Sequence, residues 1–187
     1  MEKREAVIVT SKNIQVPFGY EPAKEAYRGT LLIYDAFEPG DKEEPFVPSM
    51  MQFAVDRSLA KIVGYVLGEA TLKRMKIPAG KPYYSRIDSL GEFLEPYRSE
   101  ESPLQIALER FEEKRGKYTP FDTAMRFVQE KYDGPLFVGM RLSTANRLAG
   151  FGALDDWIRR VRFVLSNDSQ EAMHPILESR PNRWDML

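Results

Sequence analysis

Residues 49–77 read SMMQFAVDRSLAKIVGYVLGEATLKRMKI, which is the longest stretch without proline in the first half of the chain. Apolar residues recur in it at spacings of three or four, as in a helix that packs one face against a core. This stripe consists of Val55, Leu59, Ile62, Val66 and Ala70. The pattern predicts a single helix near residues 50–76, roughly 40 Å long at about 1.5 Å per residue.

Strand signals flank this predicted helix. Runs rich in β-branched residues predict strands near residues 5–10 and 30–37. A third apolar run, at 136–140, is either a strand or a loop, because periodicity cannot classify so short a run. Since a stable sheet needs three or more strands or a covering helix, we expect the small sheet to pack on the long helix.

Helices are predicted to dominate the second half of the chain. Apolar spacings indicate helices over residues 100–115, 119–132 and 153–165. Ser102 and Thr119 each stand directly before a proline, which suits a helix cap followed by a first turn. The sequence therefore predicts one α+β domain over residues 1–187, mainly helical, with a possible sub-division near 98–103.

Composition excludes several kinds of chemistry. The 187 residues include no cysteine and one histidine, His174, and the net charge is -1. Thiol nucleophiles, disulfides, Cys-containing zinc sites and His-paired metal sites are thereby excluded. The chain has no phosphate-loop, hydrolase or zinc-protease motif, and Gly150–Gly152 suits a tight turn better than a cofactor loop. We therefore expect no metal and no cofactor, and assign no catalytic residue.

The apolar runs are too short for a membrane protein. Residues 62–68 are the longest uncharged apolar run in the predicted long helix. A bilayer requires roughly 18 to 20 such residues, and the first ten residues do not resemble a secretory signal. These observations predict a cytoplasmic protein without a membrane partner.

A basic segment at the end of residues 49–77 is the strongest candidate for ligand binding. It contains Lys73, Arg74, Lys76, Lys81, Tyr83, Tyr84 and Arg86, and no acidic residue lies between Ala70 and Ile87. Cations bind phosphates and exposed tyrosines stack on unpaired bases, so the segment suits RNA, single-stranded DNA or a phosphorylated ligand. Alternatively, the cations complement a helix dipole and the tyrosines are partly buried.

Two further segments carry weaker signals. Arg183 and Trp184 near the C-terminus are residue types enriched in binding hot spots, so they are candidate anchors for a protein partner. They could equally dock on their own domain. In the predicted helix 153–165, Asp155 and Asp156 lie four residues before Arg159 and Arg160, which favours a solvated, ion-paired helix face over a DNA-recognition helix.

Three hypotheses about function follow from these observations. The first is a non-enzymatic subunit or adaptor of a larger assembly, with a protein partner or as a homo-oligomer. The second is an RNA- or single-stranded-DNA-binding protein that uses the basic segment 73–86. The third is a metal-independent enzyme that uses carboxylates such as Asp35, which follows the apolar run LLIY at the end of a predicted strand.

Overall fold

A parallel β-sheet, with six strands in the described part of the chain, forms the centre of the protein. The computed structural model describes residues 28–38, 45–102, 104–167 and 170–187. Its strands are β1 (Thr30–Asp35), β2 (Lys61–Val66), β3 (Gln105–Glu109), β4 (Leu136–Arg141), β5 (Arg162–Ser166) and β6 (Trp184–Met186). They lie in the order β3-β2-β1-β4-β5-β6, and every neighbouring pair is parallel. This is the doubly wound, Rossmann-like order, which reverses direction between β1 and β4.

Helices cover both faces of the sheet. In the described part of the chain they are α1 (Phe46–Asp56), α2 (Glu69–Met75), α3 (Tyr83–Leu94), α4 (Phe111–Arg115), α5 (Phe121–Lys131), α6 (Leu142–Gly150) and α7 (Pro175–Glu178). Helices α1 and α3 pack on one face, together with Leu31 and Ile33 of β1. Helices α2, α5 and α6 pack on the other face, with Leu32 and Tyr34. Because successive strand residues point to opposite faces, β1 is buried on both sides.

The predicted long helix near 50–76 is wrong. Residues 49–77 contain the end of α1, all of β2 and all of α2. Helix α1 ends where Ser58 adopts a left-handed conformation, φ 53°, and the amide of Leu59 donates to the carbonyl of Ala54 at 2.9 Å. The amide of Ser58 also donates to the carbonyl of Val55 at 3.0 Å. These two hydrogen bonds form a Schellman motif, which ends a helix and turns the chain. The following β2 lies between two neighbouring strands, so it is apolar without alternation.

Two of the other predicted helices are also wrong. Residues 100–115 contain β3 followed by the short helix α4, and residues 153–165 contain a 3-10 turn at Trp157–Arg159 followed by β5. Strands of a parallel sheet can be covered on both faces, and their apolar runs then match helical spacing as well as strand spacing. The helix predicted over 119–132 is present as α5.

The predicted fold class is therefore corrected. The sheet has six parallel strands between helices, so the protein is an α/β protein and not a mainly helical α+β domain with a small sheet. The strands predicted near 30–37 and 136–140 correspond to β1 and β4, which are hydrogen-bonded neighbours. The strand predicted near 5–10 lies outside the described residues. The sheet joins strands from both sides of residues 98–103, since β3 pairs with β2.

The helices of the described ranges are short or polar. None of them has the length and hydropathy that a membrane-spanning segment requires.

A glycine just before β1 is required by its backbone geometry. Gly29 has φ +91°, and a Cβ at this position would lie 2.5 Å from the carbonyl oxygen of Pro135. We expect Gly29→Ala to lower the free energy of unfolding by about 1–3 kcal/mol or more, because the backbone must move at the start of both β1 and β4. Urea unfolding followed by far-UV circular dichroism measures this loss.

Gly150, in the last turn of α6, is the matched control. It has an ordinary φ, and no atom lies within 4 Å of the Cβ that alanine adds. Gly150→Ala should leave stability unchanged or raise it by up to about 1 kcal/mol, since alanine has the higher helix propensity. Equal effects of the two substitutions would contradict the role assigned to Gly29.

Candidate functional site

The carboxyl ends of the strands bring the polar side chains of this fold together. In a parallel sheet these ends lie along one edge, and ligands of open α/β sheets bind there, beside the point where the strand order reverses. In this protein the reversal lies between β1, which ends at Asp35, and β4, which ends at Arg141. We call this side of the molecule the carboxyl edge.

Asp35 and Arg141 form an ion pair across the reversal point. Arg141 Nε lies 3.2 Å from Asp35 Oδ1, and the two side chains are 15% and 7% exposed. The Arg141 guanidinium also stacks on the ring of Phe46 at 4.4 Å from its centroid. Burial raises the pKa of Asp35, while the Arg141 charge and the Phe37 amide act in the opposite direction. The third sequence hypothesis gave Asp35 as one example of a candidate carboxylate, and the structure places Arg141 beside it.

The backbone directly after β1 is held in an unusual conformation. Phe37 has φ 54°, a left-handed value that a bulky side chain rarely adopts. The amide of Phe37 donates to Asp35 Oδ2 at 2.9 Å, and the carbonyl of Ala36 accepts from Arg86 Nη1 at 2.6 Å. The turn is therefore fixed from both sides by charged groups.

Arg86 is fully buried and connects several backbone segments. Its guanidinium donates to the carbonyls of Ala36, Leu67 and Lys81. Its Nη2 lies 3.6 Å from Glu69 Oε1, and the residue is 0% exposed, so solvent does not reach these contacts. Arg86 was predicted as a nucleic-acid contact, but the structure places it beneath the surface, where it holds β1, β2 and the start of α3 together.

A buried carboxyl group lies at the carboxyl ends of β2 and β3. Glu112 of α4 is 3% exposed, and its Oε1 accepts from the amide of Gly68 at 2.9 Å. Burial raises the pKa of Glu112, which the neighbouring groups Thr71, Gly68 and Tyr65 partly offset. Burial, followed by the nearby Glu112 charge, likewise raises the pKa of the Tyr65 hydroxyl.

Side-chain polar atoms that are buried without a hydrogen bond of good geometry concentrate at this edge. Among the described residues, the buried side-chain atoms outside hydrogen-bond geometry are Glu38 Oε2, Tyr65 OH, Tyr83 OH, Arg86 Nη2, Glu112 Oε2 and Arg115 Nε. All belong to β2, to α3 or to the segments that follow β1 and β3. Buried polar groups are normally paired. The packing of the fold therefore does not explain why these unpaired atoms are found together at one edge.

The structure divides the predicted basic segment into an exposed and a buried part. Lys73, Arg74, Lys76, Lys81 and Tyr84 are exposed, and Tyr84 retains 67% of its surface. Tyr83 and Arg86 are buried. Lys76, with φ 57°, ends α2 in a Schellman motif. The chain then returns to the carboxyl edge, where the amide of Gly80 donates to Glu38 Oε1 at 2.9 Å.

A second basic segment lies against the first. The Arg74 guanidinium carbon is 5.7 Å from the ring centroid of Tyr118, and the amide of Thr119 donates to Thr71 Oγ1 at 3.1 Å. Residues 114–121 contain no acidic residue. We define the basic surface as the exposed side chains of both segments, which are Lys73, Arg74, Lys76, Lys81, Tyr84, Lys114, Lys117 and Tyr118.

Sequence reasoning missed the second segment and Glu112 for the same reason. The prediction of one helix over residues 100–115 leaves out β3 and gives no reason to bury Glu112. The available signal was the run QIALE, which is β3, followed by a glycine at Gly116 that ends α4 with φ +64°. Nothing in the sequence showed that residues 114–118 lie beside α2.

The predicted partner anchors are used within the chain. Arg183 donates to the carbonyls of Ile158, Arg159 and Val161. Trp184 belongs to β6, and its indole Nε1 donates to the carbonyl of Leu177 at 2.8 Å. These contacts show how both side chains dock on their own domain, which was the alternative interpretation of the sequence.

No group of three or more His, Asp or Glu side chains in the described ranges is arranged to hold a metal ion. No protein-family model matches the chain, and no curated protein matches it significantly.

Arg86 should be a major determinant of stability. Arg86→Met retains most of the side chain's volume but leaves the carbonyls of Ala36, Leu67 and Lys81 without their donor. We expect a loss of at least about 3 kcal/mol in the free energy of unfolding, because hydrogen bonds to a buried charge contribute most when their partner is left unpaired. The midpoint of urea unfolding measures the change.

Arg98→Met provides the control, because Arg98 pairs with Glu95 at 3.4 Å on the protein surface. Its effect should stay within about 0.5 kcal/mol. Similar midpoints for the two variants would rule out the connecting role of Arg86.

Glu112 should make stability depend on pH. Since burial raises its pKa above the ordinary 4.5, the folded state binds this proton more tightly than the unfolded state. The stability contributed by protonated Glu112 is complete below pH 4.5 and is lost as the pH rises through the folded pKa. Glu112→Gln lacks this proton equilibrium, so its stability relative to the unsubstituted protein should increase from pH 4.5 to neutrality.

Urea unfolding of both proteins over this pH range measures the difference in their free energies of unfolding. The contributions of the other carboxyl groups are common to both proteins and cancel in this difference. A difference that is constant with pH, or that falls with it, would contradict the assignment.

Proposed function

We propose that this protein binds RNA or single-stranded DNA through the basic surface. The observation that carries the proposal is the meeting of two acid-free segments, 73–81 and 114–118, that are far apart in sequence. Arg74 and Tyr118 join them by direct contact. The basic surface carries six exposed cations, a local excess of positive charge in a chain whose net charge is -1.

The mixture of cations and tyrosines favours a single strand. Lysine and arginine bind phosphates of any nucleic acid, whereas exposed aromatic rings stack only on bases that are unpaired. Tyr84 and Tyr118 are 67% and 36% exposed, which leaves ring surface accessible on both segments. Such contacts tolerate any base, so we expect little dependence on sequence.

The adaptor hypothesis stays a prediction with less structural support. Its two named anchors, Arg183 and Trp184, already direct their polar groups to carbonyls of their own chain. The basic surface, in contrast, consists of side chains that are exposed. Measurement of the native mass with any co-purified protein tests the adaptor hypothesis directly.

Removing two lysines, one from each segment, tests the proposed function. Lys73→Ala with Lys117→Ala should weaken binding of fluorescein-labelled oligo(U) and oligo(dT) to a similar degree. The slope of log K against log salt should become shallower by about 0.7 for each phosphate that a lysine no longer neutralises. Tyr118→Ala should cost about 1–3 kcal/mol of binding free energy without a change in slope, since it removes stacking but no charge. Fluorescence anisotropy over a salt series measures both quantities.

The matched control removes two arginines from the opposite edge of the sheet. Arg159 and Arg180 are exposed and precede the first residues of β5 and β6. Arg159→Ala with Arg180→Ala alters the net charge by the same amount and should leave affinity almost unchanged. The proposed function fails if the unsubstituted protein does not bind at low salt, or if both double variants lose affinity equally.

A further inference from the structure

Strand β3 forms an open edge of the sheet. In the described part of the chain it pairs with β2 alone. The amide of Gln105 donates to the carbonyl of Ala60 at 3.0 Å, so every second residue from Gln105 onward directs its backbone groups toward β2. The residues between them, Ile106 and Leu108, direct their N–H and C=O groups away from the sheet, where another strand can pair with them.

The side chains of β3 do not protect this edge. Natural sheets commonly shield an exposed edge with charged residues, with proline or by keeping the edge strand very short. Strand β3 has five residues and no proline. Its one charged side chain, Glu109, is 4% exposed and accepts hydrogen bonds within its own chain. Residues 106–108 are apolar and remain partly exposed.

The opposite edge of the sheet is protected in the usual way. Strand β6 has three residues, and its central residue is the charged Asp185. Asp185 pairs with Arg162 at 2.7 Å and with Arg57 at 3.2 Å. The contrast between the two edges shows that the apolar edge at β3 is a feature of this chain and not of open sheets in general.

Aromatic side chains lie near β3 on both faces of the sheet. Helix α3 contacts β3. It carries Phe93, which packs against Tyr97 of the following 3-10 turn at 5.8 Å between ring centroids, and both rings are exposed. On the other face Phe111 directly follows β3 and stacks on Phe127 at 4.0 Å. Aromatic residues are enriched in protein–protein interfaces, so the surroundings of β3 suit a protein partner.

The spacing of the free backbone groups identifies the partner. A two-fold axis through Ala107 makes two copies of β3 antiparallel and places Ile106 opposite Leu108 of the partner subunit. Each such pair exchanges both of its backbone hydrogen bonds, so the outward groups of both residues are used. An axis at Ile106 or at Leu108 leaves part of these groups unpaired. We propose that the protein forms a homodimer in which two β3 strands pair about Ala107 and join the two sheets into one.

The charges beyond the two ends of β3 support pairing with a second copy. The exposed Glu100 and Glu101 precede the strand, whereas Arg110 and Lys114 follow it with Glu113 as the exposed acidic residue among them. Antiparallel pairing places the acidic end of one copy beside the mainly basic end of the other. A two-fold contact also closes on itself, so it produces a dimer and no filament. The inference does not rest on the proposed function.

Sedimentation equilibrium without nucleic acid provides the first test. Over a series of protein concentrations, the mass should approach twice that of one chain. The variant with Lys73→Ala and Lys117→Ala should dimerise normally, so dimerisation and nucleic-acid binding can fail independently.

A single cysteine tests the position of the axis, because the chain contains no cysteine of its own. The two copies of residue 107 form a pair without hydrogen bonds, in which the Cα atoms lie about 4.5 Å apart. This distance suits a disulfide, so Ala107→Cys should become a covalent dimer on mild oxidation, as a non-reducing gel shows. Gln105→Cys is the matched control, since four residues of offset separate its two copies by roughly 13 Å.

Opposite charges at the axis provide the second variant test. Ala107→Lys and Ala107→Glu each place like charges opposite one another, and each should raise the dimer Kd by at least about tenfold. An equimolar mixture of the two variants should recover dimerisation, because lysine then faces glutamate. Far-UV circular dichroism checks that both fold, and the cysteine comparison decides if either does not.

The inference is overturned if the unsubstituted protein stays monomeric up to about 100 μM, which is weaker association than a specific interface provides. It is equally overturned if Gln105→Cys cross-links as readily as Ala107→Cys, or if the mixture of folded lysine and glutamate variants dimerises no better than either variant alone.

Discussion

The buried guanidinium of Arg86 is the contact on which the carboxyl edge depends. Parallel strands are hydrogen-bonded along their length, but the carbonyls beyond their last residues need other donors. Arg86 supplies donors to Ala36 after β1 and to Leu67 after β2, and it does so from the first turn of α3. One side chain thereby sets the turn that orients Asp35, the start of the segment leading to α2 and the packing of α3 against the sheet.

Buried and exposed charges contribute to this protein in different ways. Arg86, Asp35 and Glu112 are each less than a tenth exposed, so their energies depend on a few fixed partners and change sharply when one partner is removed. The cations of the basic surface are exposed, so their fields act over about one Debye length and weaken with salt. Substitutions of the first kind should act through folding, and substitutions of the second kind through binding.

The sequence predicted β1, α5 and the exposed part of the basic segment, but it did not predict the architecture. Three of the missed strands, β2, β3 and β5, share one property. Apolar residues of each pack on both faces of the sheet, so the alternation between polar and apolar residues is lost. Val63 and Ile62 pack on opposite faces of the sheet, although their spacing to neighbours fits a helix. The end of α1 at Ser58 could not be predicted from the sequence either, since a non-glycine residue adopts the left-handed conformation there. Arg74 contacts Tyr118, and Asp35 contacts Arg141, although the partners are far apart in sequence. Only the strand order determines that they are close in space.

The strand order also explains why composition gave so little information about function. A net charge of -1 averages all cations and acidic side chains of the chain, and it cannot show that two segments without acidic residues are neighbours. Asp35 looked like one carboxylate among many until β4 placed Arg141 beside it. In a doubly wound sheet, the spatial neighbours of a polar residue at a strand end depend on which strand it ends, because all carboxyl ends share one edge. Electrostatic arguments for this fold should therefore begin with the ends of its strands and not with the overall charge of the chain.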